Sequence, residues 1–291
     1  MTLQFRIEAA VSSSTHQEAI FIKSKTAHGG CINDSRIVMT KDGRQFFIKT
    51  HPQANSFPRL FETEFKALQL LAEPDVIHVP KPIAYDDDFI VMDVFKEGRP
   101  AKDWQEQMGR CLAQLHLATK KEQFGFAGDN YVGTTTQLNN WNDSWLNFWR
   151  EQRLAYQLKL FSKKTNKEDL LLQTGKRLIN KLDSIIGNVN EPAVLLHGDL
   201  WSGNAAANEQ GQPIIFDPAS YYGHREVEIG MMRLFGGFGS RCEAAYAEVW
   251  PLEEGAEQRI SLYRLYHELN HLNLFGQSYY QTCLSTINSL I

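Results

Sequence analysis

The chain has 291 residues, 43% of them hydrophobic, which suffices for one large domain or two lobes with a packed core. Its net charge of −4 gives no reason to expect nucleic acid or an anionic membrane as partner, and no apolar run approaches the roughly 18 residues a membrane span needs. The N-terminus lacks a basic segment followed by an apolar core, and Cys31, Cys111, Cys242 and Cys283 show no metal or disulfide spacing, so a reduced, cytoplasmic protein is expected.

Taken in order, Phe5 to Ser14 reads as a short helix and Ala19–Lys23 as a strand. His28-Gly29-Gly30-Cys31-Ile32-Asn33 follows, then a strand over Ser35–Met39, a hairpin turn at Lys41–Arg44, and a strand Gln45–Lys49. Phe61, Phe65, Leu68 and Leu71 recur with helical period, and Glu62 and Glu64 lie on that helix. Glu64, one turn before Leu68, belongs to the inward stretch, while Glu62 reads as a solvated charge. Ile83–Tyr85 and Phe89–Met92 form a hairpin around Asp86-Asp87-Asp88, a solvated turn rather than a metal site, since three carboxylates at a tip mainly repel. Gly98 and Pro100 mark a connection. The division expected is an N-lobe over 1–93, a hinge over 94–99 and a C-lobe over 100–291.

Beyond it the pattern is mostly helical. Trp104, Met108, Leu112 and Leu115 mark an amphipathic helix on which His116 reads as a packed core residue. Trp141, Trp145 and Trp149 recur every fourth residue, as one helix face would require, and read as core. Helices are also expected over 154–160, 170–186, from 227 and over 260–274.

The richest stretch is His197-Gly198-Asp199-Leu200-Trp201-Ser202-Gly203-Asn204, between the apolar runs Val194–Leu196 and Pro213–Phe216, the second ending in Asp217. An aspartate, an asparagine five places on and a second aspartate after a strand resemble the catalytic loop of protein kinases. The residue types suit phosphoryl transfer. Asp199 would take the proton of a substrate hydroxyl. Asn204 and Asp217 would hold Mg²⁺ against nucleotide phosphates, because hard cations take oxygen ligands. Upstream, Gly29 and Gly30 could let backbone N–H groups approach ATP phosphates, with Lys49 braced by Glu64 on the α- and β-phosphates. The hinge-side strand Met92-Asp93-Val94-Phe95 could present backbone groups to adenine. The expected fold is α+β, protein-kinase-like, with a small antiparallel-sheet N-lobe and a larger, mainly helical C-lobe.

These residues, with Phe124-Gly125-Phe126, Asp129-Asn130-Tyr131, Phe216-Asp217-Pro218-Ala219 and Tyr222-Gly223-His224-Arg225-Glu226, resemble the fructosamine (ketosamine-3-) kinase family over essentially the whole chain. The tryptophan after Asp199-Leu200 is the most discriminating element. The resemblance implies ATP-dependent phosphorylation of a sugar hydroxyl on a ketosamine, either a free adduct or a glycated protein lysine, as a deglycation step. His197 and Trp201 are candidate substrate contacts, with Trp201 serving either to stack on the sugar or to pack beneath the loop. Two departures stand out. Glu228 occupies a position where the family usually has Asp, and as a brace of the catalytic loop it is expected to shift that loop slightly. The hinge has Met92-Asp93-Val94-Phe95 where many relatives carry a Glu. Cys31, at a hairpin tip, is a candidate for a redox-linked dimer. A kinase of another small alcohol (aminoglycoside, choline, homoserine or sugar) and a non-catalytic pseudokinase are the alternatives.

Overall fold

The computed structural model describes residues 1–27, 34–187 and 189–291. Helix α1 (Leu3–Thr15) comes first, capped by the Thr2 side chain, and buries Ile7 and Val11, one turn apart. Strands β1 (Phe21–Thr26), β2 (Asp34–Thr40) and β3 (Gln45–Thr50) follow, then helix α2 (Leu60–Ala72) and strands β4 (Pro82–Asp86) and β5 (Phe89–Asp93). They form one antiparallel sheet in the order β1-β2-β3-β5-β4. The first strand starts two residues later than its apolar pattern predicts. The N–H of Ala19 donates to Ser12 Oγ and that of Phe21 to Glu8 Oε1, both at 2.8 Å, so side chains of α1 hold the approach to the strand.

Alternation along the strands positions the cleft. Val38, Phe46, Ile48, Phe89 and Val91 face α1 and form a small core with Ile7 and Val11. Phe47 and Lys49 therefore lie on the opposite face. The acidic turn Asp86-Asp87-Asp88 is relieved by Arg6 of α1, whose guanidinium pairs with Asp86 and Asp88.

The rest of the chain is mainly helical: α3 (Trp104–Ala118), α4 (Trp145–Trp149), α5 (Tyr156–Ser162), α6 (Leu170–Ile186), α7 (Glu226–Leu234), α8 (Ser240–Val249), α9 (Ala256–Phe275) and α10 (Tyr280–Leu290). Three two-stranded pieces interrupt it: β6 (Asn130–Val132) with β7 (Thr135–Gln137), β8 (Val194–Leu196) with β11 (Tyr221–Gly223), and β9 (Ala205–Ala207) with β10 (Pro213–Ile215). This is the α+β arrangement expected, a sheet-bearing part followed by a helical part. Helix α3 packs on α8, and α9 lies between α7 and α10. His116 is buried, its Nδ1 2.8 Å from the Tyr246 hydroxyl.

The tryptophan spacing overstates one helix. Helix α4 starts only at Trp145, capped by the Ser144 side chain, so Trp141 lies outside it, 40% exposed, beneath the Lys121 ammonium at 4.7 Å. Trp145 and Trp149 are core, both edge-on to Tyr263 of α9. Among the described residues no helix is long and apolar enough to cross a membrane.

Candidate active site

Lys49 projects from β3 toward α2. Its Nζ lies 2.6 Å from Glu64 Oε1 and also contacts Asp217 Oδ1, just beyond β10. Glu64 reaches it because Phe61, Glu64, Leu68 and Leu71 share the buried face of α2. Glu62 points away and is held by Arg59 (2.8 Å) and Lys66 (2.6 Å). Lys49 and Glu64 are only 4% and 9% exposed, so each needs the other. Burial alone would depress the Lys49 ammonium, but the charges of Asp217 and Glu64 outweigh it and hold it raised. Burial raises Glu64, with Asp217 adding to the effect.

Asp199 sits in the loop between β8 and β9, and the spacing to Asn204 has a geometric reason. The loop turns back through a 3₁₀ turn at Ser202–Asn204, so Asn204 Nδ2 donates to the Asp199 carbonyl (2.8 Å) and to Asp199 Oδ2 (3.1 Å). Gly198 adopts φ +83°, and a Cβ there would fall 2.2 Å from the Ala219 carbonyl oxygen. Below the loop, buried Glu228 of α7 accepts the N–H groups of His197 (2.5 Å) and Gly198 (3.2 Å). The longer acid thus makes both backbone contacts.

Asp217 has φ +60°, a left-handed conformation that Asp tolerates better than most residues. Its neighbours are pinned from two sides. Phe216 N–H donates to the Asn204 carbonyl at 3.0 Å, and Ala219 N–H to the His197 carbonyl at 2.9 Å. From the β6–β7 hairpin, Gln137 donates to the Ala219 carbonyl (3.0 Å) and Asn130 to that of Ser220 (2.9 Å).

Among the described residues, one ammonium, Lys49, shares a cavity of about 220 Å³ with three carboxylates, Glu64, Asp199 and Asp217, and pairs with the first and last of them. Burial, and then the charge of Asp217, push the Asp199 carboxyl up to about 8. Asn204 Oδ1 accepts no hydrogen bond among the described residues. Among the described residues no group of three or more His, Cys, Asp or Glu is placed to cage a metal. The Asp217 carboxylate and the Asn204 amide oxygen are the oxygen donors that a hard cation such as Mg²⁺ takes.

A second cavity of about 390 Å³ shares Asp217 and is lined by Phe47, Met92, Asp93, Val94, Phe95 and Phe216. The Asp93 N–H is taken by the Lys81 carbonyl (3.0 Å), so backbone on offer to a flat base lies at Val94 and Phe95. Phe95 stands 5.4 Å from Phe216, giving that slot apolar walls.

Lys49, Glu64, Asp199, Trp201, Asn204 and Asp217 are brought together, and residues 92–95 lie next door. His197, expected at the substrate, is not among them. It is fully buried, its Nε2 bonded to the Phe216 carbonyl (2.9 Å) and its Nδ1 accepting the Asp199 N–H (3.3 Å), so it holds the loop from beneath. Gly29, Gly30 and Cys31 lie outside the described residues. Of the other cysteines, Cys111, Cys242 and Cys283 are free, and no observation supports a thiol-linked dimer. Phe57 and Tyr131, which were not among the residues expected at the site, also line the cavity beside Trp201. Tyr131 had a signal in Asp129-Asn130-Tyr131. Phe57 had none, since it arrives only when the β3–α2 connection folds back.

A model of the fructosamine kinase family matches residues 4–291. A rice protein named protein-ribulosamine 3-kinase, chloroplastic, is 39% identical over 270 residues, spanning 90% of this chain and 77% of its own. Mouse ketosamine-3-kinase is 34% identical over 292 residues, spanning 90% and 93%. A crystal structure of a Thermobifida fusca protein assigned as a fructosamine-3-kinase superposes with a TM-score of 0.88 at 30% identity, over 99% of this chain and 98% of that one. The chain belongs to the fructosamine kinase family.

Proposed function

We propose that this protein transfers the γ-phosphoryl group of ATP to a sugar hydroxyl of a ketosamine, a free amine adduct or a glycated protein lysine. The observation that carries the reading is the meeting of Lys49, Glu64 and Asp217 with Asp199 and Asn204 around one cavity, within a chain of this family. In this reading residues 1–93 bind nucleotide phosphates, 94–99 form the hinge, and 100–291 carry catalysis and substrate.

Adenine lies in the slot by Val94 and Phe95. Lys49, held by Glu64, neutralises phosphate oxygens. Asn204 and Asp217 would hold a divalent cation, which we take to be Mg²⁺; when bound it would supply charge neutralisation and, beside Asp217, would favour the ionised form of Asp199. Asp199 Oδ2 is fixed by the Asn204 amide, which leaves Oδ1 to orient the attacking hydroxyl and accept its proton. The hydroxyl oxygen bonds to phosphorus as the bond to the β-phosphate oxygen breaks and ADP leaves. Phosphoryl transfer has a loose transition state, so placement and charge stabilisation are the protein's main contribution.

The test is a phosphorylation assay with ATP across fructose-, ribose- and erythrulose-derived amine adducts, run beside an aminoglycoside, choline, homoserine and plain sugars. Turnover confined to the adducts is expected. Turnover confined to another alcohol would replace the substrate, and ATP binding without transfer to any acceptor would make the protein non-catalytic.

A further inference from the structure

A ketosamine carries a secondary amine that is largely protonated at neutral pH, and enclosing an unpartnered cation is costly. In the reading above, the acids lining the cavity beside Asp199 are committed to Lys49, the divalent cation and the reacting hydroxyl. Lys49 holds Glu64 and Asp217, and Asn204 holds Asp199, whose other oxygen faces the reacting hydroxyl. What remains there, among the described residues, includes three aromatic rings: Phe57, Tyr131 and Trp201.

Each ring is held in place. The Tyr131 hydroxyl donates to the Pro58 carbonyl at 3.2 Å, so its ring, not its hydroxyl, is left for a ligand. Phe57 packs edge-on against it, 5.3 Å between centroids and 86° between planes. Trp201 stands over Gly203, where a Cβ would meet the indole at 2.2 Å, and against Phe235 at 5.8 Å, yet stays 37% exposed. The two sides of the cleft contribute separately: Phe57 from the β3–α2 connection, Tyr131 from β6, and Trp201 from the catalytic loop.

We propose that Phe57, Tyr131 and Trp201 recognise the protonated amine of the substrate by cation–π attraction and so select charged adducts over neutral sugars of the same shape. The inference rests on the ketosamine reading above. It serves a free adduct and a glycated lysine alike, because both present the same secondary ammonium.

The experiment compares a fructose-derived alkylamine adduct with its ether twin, in which oxygen replaces the amine nitrogen, on wild type, Phe57→Leu and Tyr131→Leu, with ATP saturating and folding checked by circular dichroism. Wild type should favour the amine about tenfold in kcat/KM, chiefly through KM, and each variant should shrink that ratio toward unity. Equal use of amine and ether by wild type would overturn the inference while leaving the kinase reading standing. Discrimination fully retained in both folded variants would also overturn it, since the charge would then be read elsewhere. No turnover of any adduct would remove the functional reading itself, and this inference with it.

Discussion

Among the described residues, two buried ionic clusters are built differently. Beneath the catalytic loop, Arg225 grips Glu191 through two bonds of 2.6 and 2.8 Å, and Arg259 grips Glu226 through two of 2.7 Å. Two cations meet two anions with planar, bidentate geometry, and spare N–H groups donate to the carbonyls of Trp250, Pro251 and Glu254. His224 stands between the glutamates, 3.4 and 3.6 Å away, but burial keeps its ring neutral, pushed down to about 4. In the cleft, among the described residues, one lysine shares a cavity with three carboxylates and pairs with two of them. The difference separates scaffold from site. A cluster that only holds the fold completes its own pairing, whereas one that handles a polyanion and a metal is left short of positive charge.

Breaking the balanced cluster should cost stability. Arg259→Met leaves Glu226 buried and unpaired, and should lower the unfolding free energy by about 3–5 kcal/mol in urea titrations. Adding Glu226→Leu should restore most of that, because the pair is self-contained. Breaking the unbalanced cluster should cost rate: Lys49→Met is expected to lower kcat about 10²–10³-fold in steady-state assays. A smaller effect should follow Gly203→Ala, where the new methyl meets the Trp201 indole. Overpacking of about 1–3 kcal/mol is expected by thermal denaturation, with a raised KM for the acceptor. A further effect concerns acid and is small at each pH step. Because the folded His224 pKa is depressed to about 4, its neutral form is favoured, and stability is lost as pH falls from about 6.5 toward 4. His224→Gln should flatten that slope by roughly 1.4 kcal/mol per pH unit, measured as unfolding free energy against pH.

Much of this was legible in the sequence. The turn at Lys41–Arg44 set the β2–β3 register, and Leu68 one turn beyond Glu64 singled out the inward acid from Glu62. Lys49 and Asp217 stand 168 positions apart, yet their meeting followed from motif order. Other parts had no local signal. Strands β9 and β11 are three residues each, too short for a period to register, whereas β8 and β10 showed as the apolar runs Val194–Leu196 and Pro213–Phe216. Trp141 fitted a helical spacing by coincidence, since Ser144 starts the helix after it. His197 looked chemical because it adjoins Asp199, but strand β8 carries it inward. The balanced cluster was invisible because Glu191, Arg225, Glu226 and Arg259 meet only through tertiary packing, although three of the residues in Tyr222-Gly223-His224-Arg225-Glu226 belong to it.

In the proposed mechanism Asp199 takes the acceptor's proton in a cleft that delivers the ATP phosphoryl group. Phosphate transfer to a ribose- or fructose-derived amine adduct, followed by ³¹P NMR in wild type and Asp199→Asn, tests it most directly. Wild type should yield a sugar phosphate monoester, at a rate about 10²–10⁴-fold above that of a folded Asp199→Asn protein. Near-wild-type transfer by that folded variant would contradict it.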